Sequence, residues 1–332
     1  MRARRIAILG LGAAVIVVLG LAWVVPSMDH FRSENPFWNG LSELNSRFHP
    51  FEVSDSARLM DLVLKPSEST VLVLGPSEPF REEDVDAVRA FLEAGGLVVL
   101  AEDFGVGNSL LEGLGVEARF SGMVLLDPLF KDRDSRMPRM IDFTASPYTR
   151  GLSALTLNYA TALADVGDGV RVLARSTAFS YLSEDLRAAP EEAELVGPLP
   201  VMAEVGYGGG SLVLISDSSL FINSMLDRGD NDALLRNLVD GRVVYVDVSH
   251  WSPSLLTQFK AVLARVYEVA GVTEVKYALV GVLAIVIFKV KWRGKEMREE
   301  RDEVEDALRE HPEWDRALLE RLKSLRDEHG VR

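Results

Sequence analysis

The sequence predicts an α/β domain with a mostly parallel sheet and flanking helices, itself flanked by two transmembrane helices. Three observations point to this class. Short runs of aliphatic and β-branched residues alternate with amphipathic helical segments, as in β-α-β units. The connections are short, which favours parallel strands joined by right-handed crossovers. Two apolar stretches with basic neighbours lie on either side of this pattern.

The first apolar stretch covers residues 6–25 and follows three arginines. About 20 apolar residues suffice to cross the hydrocarbon core of a bilayer. The stretch does not end in a small-residue cleavage motif, and Trp23 suits the membrane interface. An uncleaved anchor over residues 1–26 is therefore favoured over a cleaved signal peptide.

The second apolar stretch is shorter, since its charge-free part covers only residues 277–288. A buried core helix of this length remains an open alternative. The basic cluster at residues 289–295 favours a second transmembrane helix over residues 272–290, followed by a charged cytoplasmic tail at 291–332. Basic residues beside both stretches predict cytoplasmic termini and an extracytoplasmic domain over residues 27–271, at the cell membrane.

The charge balance of the chain limits the classes of partner that the protein is expected to bind. The formal net charge is −14, and the basic residues concentrate beside the apolar stretches. An acidic outer domain argues against nucleic acid, whose phosphates need a basic surface. The expected partners are the lipid bilayer and other membrane or envelope proteins. The chain has no cysteine, which excludes disulfides, thiolate metal sites and cysteine nucleophiles.

The first half of the outer domain alternates strands with helices. Strands are predicted where aliphatic residues run without interruption, as in TVLVL and LVVLA, and helices where they recur every three or four positions. The acidic first turn of EEDVDAVRAFLE suits the helix dipole, and the following Gly-Gly ends that helix. The predicted order is helix 42–48, strand 50–53, strand 70–74, helix 82–93, strand 97–101, helix 108–114 and strand 122–127.

The second half begins with a less regular region at residues 128–200, interpreted as an insertion or an antiparallel edge. It contains short strands around Met140, Leu155 and Val172 and a polar run at 183–194. The glycines at 206–210 give a hairpin signal between two strands. Regular elements then follow: strands 199–205 and 211–215, helices 217–226 and 231–239, strand 242–248 and helix 254–269. The tail is helical with a break at Pro312, and its later apolar face fits a helical hairpin or a partner-docking helix.

Two strings resemble a known protein group. The string GPSEPFREEDVDAVRAFLEAGGLVVLAEDFGVGNSLLEGLG resembles the class I glutamine-amidotransferase-like domain, a flavodoxin-like fold. The string GGGSLVLISDSSLFINSMLDRGDNDALLRNL resembles a signature of archaeal and bacterial membrane proteins grouped as "domain of unknown function 4350". There a strand ends in an aspartate, here Asp217. A Phe-x-Asn at Phe221 and Asn223 and an Asp-Asn pair at Asp230 and Asn231 follow.

This resemblance covers most of residues 30–290 and implies no settled activity. Similar domains act as binding modules in auxiliary subunits of gliding-motility transporters and in an intraflagellar-transport subunit. The resemblance therefore implies a pseudoenzyme: a non-catalytic, membrane-tethered binding or scaffold module of an envelope complex. It also suggests an AAA-type ATPase system as a neighbour.

The residues themselves exclude amidotransferase chemistry. That chemistry needs a cysteine on a tight strand-to-helix turn, and here the corresponding turn reads Glu102-Asp103-Phe104-Gly105. A serine nucleophile elbow of the form G-x-S-x-G is also missing. The glycines at 206–210 do not precede a helix and so do not form a phosphate loop. No cofactor is expected.

Ligands of open α/β sheets bind beyond the carboxyl ends of the strands, where this chain has three polar loops. The candidate ligand-binding residues are Glu102, Asp103, Asn108, Asp217, Ser218, Asn223, Asp230 and Asn231. The alternative is that these side chains cap helices and bond loop backbone.

A metal-assisted hydrolase acting outside the membrane is the alternative function. It would use Asp217, Asp247 and His250, because aspartate and histidine are common metal ligands. The five histidines of the chain show no ligand spacing, so Asp247 and His250 are only secondary metal candidates. The alternative role for this pair is to cap the turn before Ser254.

Overall fold

The computed structural model describes residues 28–184 and 195–329, together with positions 10, 17, 20, 25 and 26. Most of the predicted anchor and most of the predicted polar run at 183–194 lie outside the described residues. The chain divides into two compact units, Met1–Gln258 and Phe259–Arg332.

The first unit alternates strands and helices along most of its length. Its strands are β1 (Phe51–Val53), β2 (Ser69–Leu74), β3 (Leu97–Ala101), β4 (Arg119–Phe120), β5 (Val124–Leu126), β6 (Arg139–Met140), β7 (Asp142–Phe143), β8 (Leu155–Thr156), β9 (Leu163–Ala164), β10 (Val170–Arg175), β11 (Tyr181–Ser183), β12 (Leu195–Val196), β13 (Pro200–Tyr207), β14 (Gly210–Ile215) and β15 (Val243–Asp247). Its α-helices are α1 (Ser42–Phe48), α2 (Ser56–Asp61), α3 (Glu82–Glu93), α4 (Asn108–Leu114) and α5 (Asn231–Val239). Short 3-10 helices cover Leu62–Leu64, Pro66–Glu68 and Ser218–Phe221.

An eight-stranded sheet in the order β1-β15-β2-β3-β14-β13-β10-β7 forms the centre of this unit. The strands from β1 to β14 in this order pair in parallel. Strands β13, β10 and β7 extend the sheet by antiparallel pairing. This confirms the predicted mixed α/β class with a mostly parallel central sheet and flanking helices. The antiparallel edge comes largely from the region predicted to be irregular.

The core lies on both faces of the sheet, because successive side chains of a strand point in opposite directions. In β2, Leu72 and Leu74 pack with Leu234 of α5 on one face. Val71 and Val73 pack with α3, including Phe91, on the other. Burial on both faces explains why β2 and β3 are uninterrupted apolar runs.

One predicted helix is wrong. Residues 217–226 form only the 3-10 helix Ser218–Phe221, because Ile222 is extended with φ −72° and ψ 160°. The side chain of Asp217 accepts a hydrogen bond from the backbone of Ser219, which competes with regular helical bonding. After this break, the chain continues in a non-helical conformation to Asn223.

The second unit is helical. Helix α6 (Leu255–Gly271) begins before the unit boundary, and α7 (Thr273–Glu310) and α8 (Arg316–Glu328) follow it. The predicted break at Pro312 separates α7 from α8, where the Asp315 side chain caps α8 by accepting from the backbone of Ala317 at 2.8 Å. Within the part of the chain that the structure describes, no helix combines the length and apolarity needed to cross a membrane.

Candidate functional site

The candidate site lies at the carboxyl edge of the parallel strands. The register pairs Ala101, the last residue of β3, with Leu74 of β2 and Ile215 of β14. The loops that leave these strands therefore begin side by side. Glu102 and Asp103 follow β3 directly, and Asp217 and Ser218 follow β14 after one residue.

Asp103 and Ser218 fasten two of these loops together. The Asp103 carboxylate accepts from the backbone N–H of Ser218 at 2.6 Å and from its hydroxyl at 2.7 Å. Asp217 accepts from the backbone N–H of Ser219 and from that of Asn158, both at 2.7 Å. Three segments of the chain therefore meet at two buried carboxyl groups.

Both carboxyl groups hold protons more tightly than usual. Burial raises the pKa of Asp103 to about 7, with the hydrogen bonds from Ser218 opposing this and the charge of Glu102 adding to it. Burial and the nearby charge of Asp103 raise the pKa of Asp217 well above its ordinary value. Two carboxylates in one buried site repel each other, so the pair titrates jointly.

Glu102 and Asn108 organise the loop between β3 and α4. The Glu102 carboxylate accepts from the backbone of Asp103 at 2.8 Å, Phe104 at 2.6 Å and Gly107 at 2.5 Å. The Asn108 amide donates to the carbonyl of Phe120 and accepts from its N–H, both at 2.9 Å. Both side chains are therefore engaged in holding backbone.

The candidates Asp230 and Asn231 bind other segments of the same domain. The Asp230 carboxylate accepts from the backbone N–H groups of Ser153 and Ala154 at 2.6 and 2.8 Å. Asn231, which is fully buried, accepts from the N–H of Thr156 and donates to its carbonyl and to that of Met225. These two residues attach the start of α5 to the segment around β8.

Asn223 secures the segment that precedes the sheet. Its amide accepts from the backbone of Glu43 at 2.9 Å. It donates to the carbonyls of Phe37 and Asn35 at 2.6 and 3.1 Å, and to the Ser42 hydroxyl at 3.0 Å. The structure thus brings Asp103, Asp217 and Ser218 together but engages Asn223 elsewhere.

The secondary metal candidates form a separate cluster. The Asp247 carboxylate lies 2.7 Å from Nδ1 of His250, and Asp84 lies 3.4 Å from Nε2. The ring of Phe80 stacks on the imidazole at a centroid distance of 3.7 Å. Asp84 was not predicted to belong to a site, because the acidic first turn of its helix already had an explanation in the helix dipole.

Opposing effects set the charge of His250. Burial lowers its pKa, but the hydrogen bond and charge of Asp247 and the charge of Asp84 raise it by more, so the net shift is upward. A cavity of about 20 Å³ borders this cluster, which is room for about one water molecule. Among the described residues, no group of three His, Cys, Asp or Glu side chains is arranged to hold a metal ion.

The Ser249 hydroxyl does not complete a catalytic triad with this pair. It lies 3.0 Å from Nδ1 of His250, on the same side of the ring as Asp247, which accepts from it at 2.6 Å. A triad needs the serine and the aspartate on opposite ring nitrogens.

The fold and these contacts define an α/β protein whose carboxyl-edge polar side chains fasten its own loops. The family described as "Domain of unknown function (DUF4350)" matches residues 33–239, so the chain belongs to that family. No curated protein matches the chain.

Several solved structures are similar in part. The "mmIFT52 N-terminal domain" is 15% identical, with 60% of this chain and 88% of that chain covered and a TM-score of 0.45. A thua-like protein from Bacteroides uniformis ATCC 8492 is 14% identical, with 56% and 73% covered and a TM-score of 0.33. A beta-galactosidase from Bacillus circulans sp. alkalophilus is 11% identical, with 56% and 26% covered and a TM-score of 0.32.

Proposed function

We propose that this protein is a non-catalytic, membrane-tethered binding or scaffold module of an envelope complex, with its α/β domain outside the membrane. The observation that carries the proposal is the hydrogen bonding of the eight candidate residues at and around the carboxyl edge. Each directs side-chain atoms to backbone groups of its own domain, or has its backbone bound by such a side chain. These bonds give the residues a structural role.

A catalytic carboxylate must lie within hydrogen-bonding distance of a substrate atom or of the proton that it transfers. Asp103 and Asp217 are instead buried, and each accepts two hydrogen bonds from loop groups of the same domain. Together with the missing cysteine, this supports a glutamine-amidotransferase-like fold that has no nucleophile and is used for binding.

Tethering is supported by the way the chain enters and leaves the α/β domain. Asp29, at the start of the described range 28–184, accepts a hydrogen bond at 3.1 Å from the backbone of Ser254, which directly precedes α6. The links toward both apolar stretches therefore start from one place on the domain. This suits attachment to a single membrane, and the two-span topology with cytoplasmic termini stays a prediction.

The alternative of a metal-assisted hydrolase gains no support from the geometry. Asp217 binds the backbone of Asn158 and Ser219, whereas His250 contacts both Asp247 and Asp84. Asp217 thus shares no partner with the Asp247–His250 pair.

Purification of the full-length protein in mild detergent tests the proposal. We expect it to elute with partner proteins in a complex larger than the monomer, without a stoichiometric metal. Elution as a lone monomer would count against a scaffold. A stoichiometric metal that is lost in His250→Gln but kept in His49→Gln, a matched control on another segment, would favour the hydrolase instead.

A further inference from the structure

Residues 28–41 form a compact turn, here called the N-terminal turn. The N–H of Phe31 donates to the carbonyl of Asn39 at 3.1 Å, and that of Leu41 to Arg32 at 3.0 Å. Inside the turn, the Asn35 amide donates to the Asn39 side chain at 3.0 Å. The N-terminal turn therefore has a defined shape.

Large apolar side chains project from this turn into solvent. Trp38 is 63% exposed, Met28 58% and Phe37 41%. Their backbone is nevertheless held in place. Asn223 donates to the carbonyl of Phe37 at 2.6 Å, and the N–H of Ser224 donates to that of Trp38 at 3.0 Å. Exposing a tryptophan whose backbone is fixed costs solvation free energy, so a contact with an apolar or amphipathic partner is expected.

The exposed side chains lie beside the points where the chain enters and leaves the domain. The Asn39 amide donates to the carbonyl of Met28 at 3.2 Å, and the neighbouring Asp29 accepts from Ser254 at 3.1 Å. Leu255, the next residue, is 84% exposed. Apolar surface is thus concentrated where the chain continues toward the apolar stretches.

Chain length places the N-terminal turn close to the bilayer. Met28 is the third residue after Val25, the last residue of the first apolar stretch. Three extended residues span at most about 10 Å. The headgroup layer on each side of the hydrocarbon core is about 5–8 Å thick. If residues 6–25 cross the membrane, Met28 lies in or just beyond that layer.

We propose that the N-terminal turn seats Trp38, Phe37 and Met28 in the lipid headgroup region of the membrane that anchors the chain. Tryptophan prefers this region, because its ring is apolar and its N–H is polar. Asn223 acts as a positioning residue that fixes the turn for lipid contact. The inference rests on the proposed tethering and adds a second, peripheral contact that orients the domain.

Spin labels on the full-length chain in nanodiscs of phosphatidylcholine and phosphatidylglycerol test this inference. The chain has no cysteine, so each introduced cysteine is labelled alone. The test position is Trp38→Cys. The control Ala94→Cys is at an exposed position just before β3, at the amino ends of the parallel strands, opposite the carboxyl edge. A second control, Ala14→Cys, lies inside the first apolar stretch.

The readout is the ratio of label collisions with oxygen to those with a water-soluble nickel chelate, which rises with depth in the bilayer. We expect a high ratio at position 14, an intermediate ratio at 38 and a several-fold lower ratio at 94. A ratio at 38 equal to that at 94, with 14 still deep, overturns the lipid contact and leaves the tether. An aqueous ratio at 14 overturns both.

The role of Asn223 is tested in the same label background. Asn223→Ala should reduce the ratio at position 38 toward the aqueous value. The matched control is Asn237→Ala, which removes an amide that also donates to two carbonyls, of Tyr148 and Arg150, in another part of the domain. It should leave the ratio unchanged. Equal effects of both variants would overturn the positioning role.

Discussion

Replacing Asp103 with asparagine is expected to stabilise the α/β domain above neutral pH and to flatten its pH dependence. Burial raises the pKa of this carboxyl from an ordinary 3.8 to about 7 in the folded protein. The folded state therefore binds the proton more tightly than the unfolded state. The stability linked to this group is fully present below about pH 4 and is lost as the pH rises through about 7.

The size of the effect follows from the two pKa values. The difference between 3.8 and about 7 corresponds to about 4 kcal/mol of unfolding free energy, an upper limit because Asp103 titrates jointly with Asp217. Asparagine has the same shape and no charge. Its carbonyl oxygen can accept from the Ser218 N–H and its amide can donate to the Ser218 hydroxyl, so both contacts of the aspartate survive.

The assay is urea unfolding of the full-length protein in mild detergent between about pH 4 and pH 8. Tryptophan fluorescence reports on the domain, because Trp251, one of five tryptophans, is buried and donates to the carbonyl of Leu74 at the end of β2. The control is Asp168→Asn at an exposed position, which should follow the wild type. Equal pH slopes for Asp103→Asn and the wild type would refute the reasoning.

Three further predictions use the same unfolding assay. Asn231→Ala should cost about 2–4 kcal/mol, because it leaves buried backbone groups unpaired, and Asn237→Ala should cost less. His250→Gln should remove a stability contribution that is present below the ordinary pKa of 6.5 and is lost as the pH rises through the raised value, so an unchanged profile above pH 6 would contradict it. Phe91→Ala should cost about 3–5 kcal/mol, whereas the exposed Phe104→Ala should cost little. Similar losses for these two variants would be inconsistent with the core described.

Local patterns predicted the central elements closely. Helix 82–93 and strand 97–101 have the predicted bounds in the structure, because amphipathic periodicity and uninterrupted aliphatic runs act over a few residues. The predicted helix at 217–226 is wrong, because side-chain and long-range contacts override the local pattern there. The Asp217 side chain there binds the nearby backbone of Ser219, and the chain turns to bring Asn223 to a segment about 185 residues earlier.

The candidate site was predictable only as a set of residue types at strand ends. The sequence placed Asp103 and Asp217 after strand ends, but the pairing of those two strands and the hydrogen-bond partners Ser218 and Asn158 depend on the tertiary fold. Asp84 was missed, because its contact with His250 joins positions more than 160 residues apart. No local signal distinguishes a buried aspartate of this kind from an ordinary helix-start aspartate.

The sequence by itself determined the α/β class, the exclusion of cysteine chemistry and the positions of the two apolar stretches, because these depend on composition and short-range periodicity. Tertiary structure decided which polar side chains meet. It joined Asp29 to Ser254, and it fixed the N-terminal turn, which carries the exposed Trp38, through Asn223. Such contacts arise when distant segments pack on one sheet, where buried polar groups must find partners that no local pattern specifies.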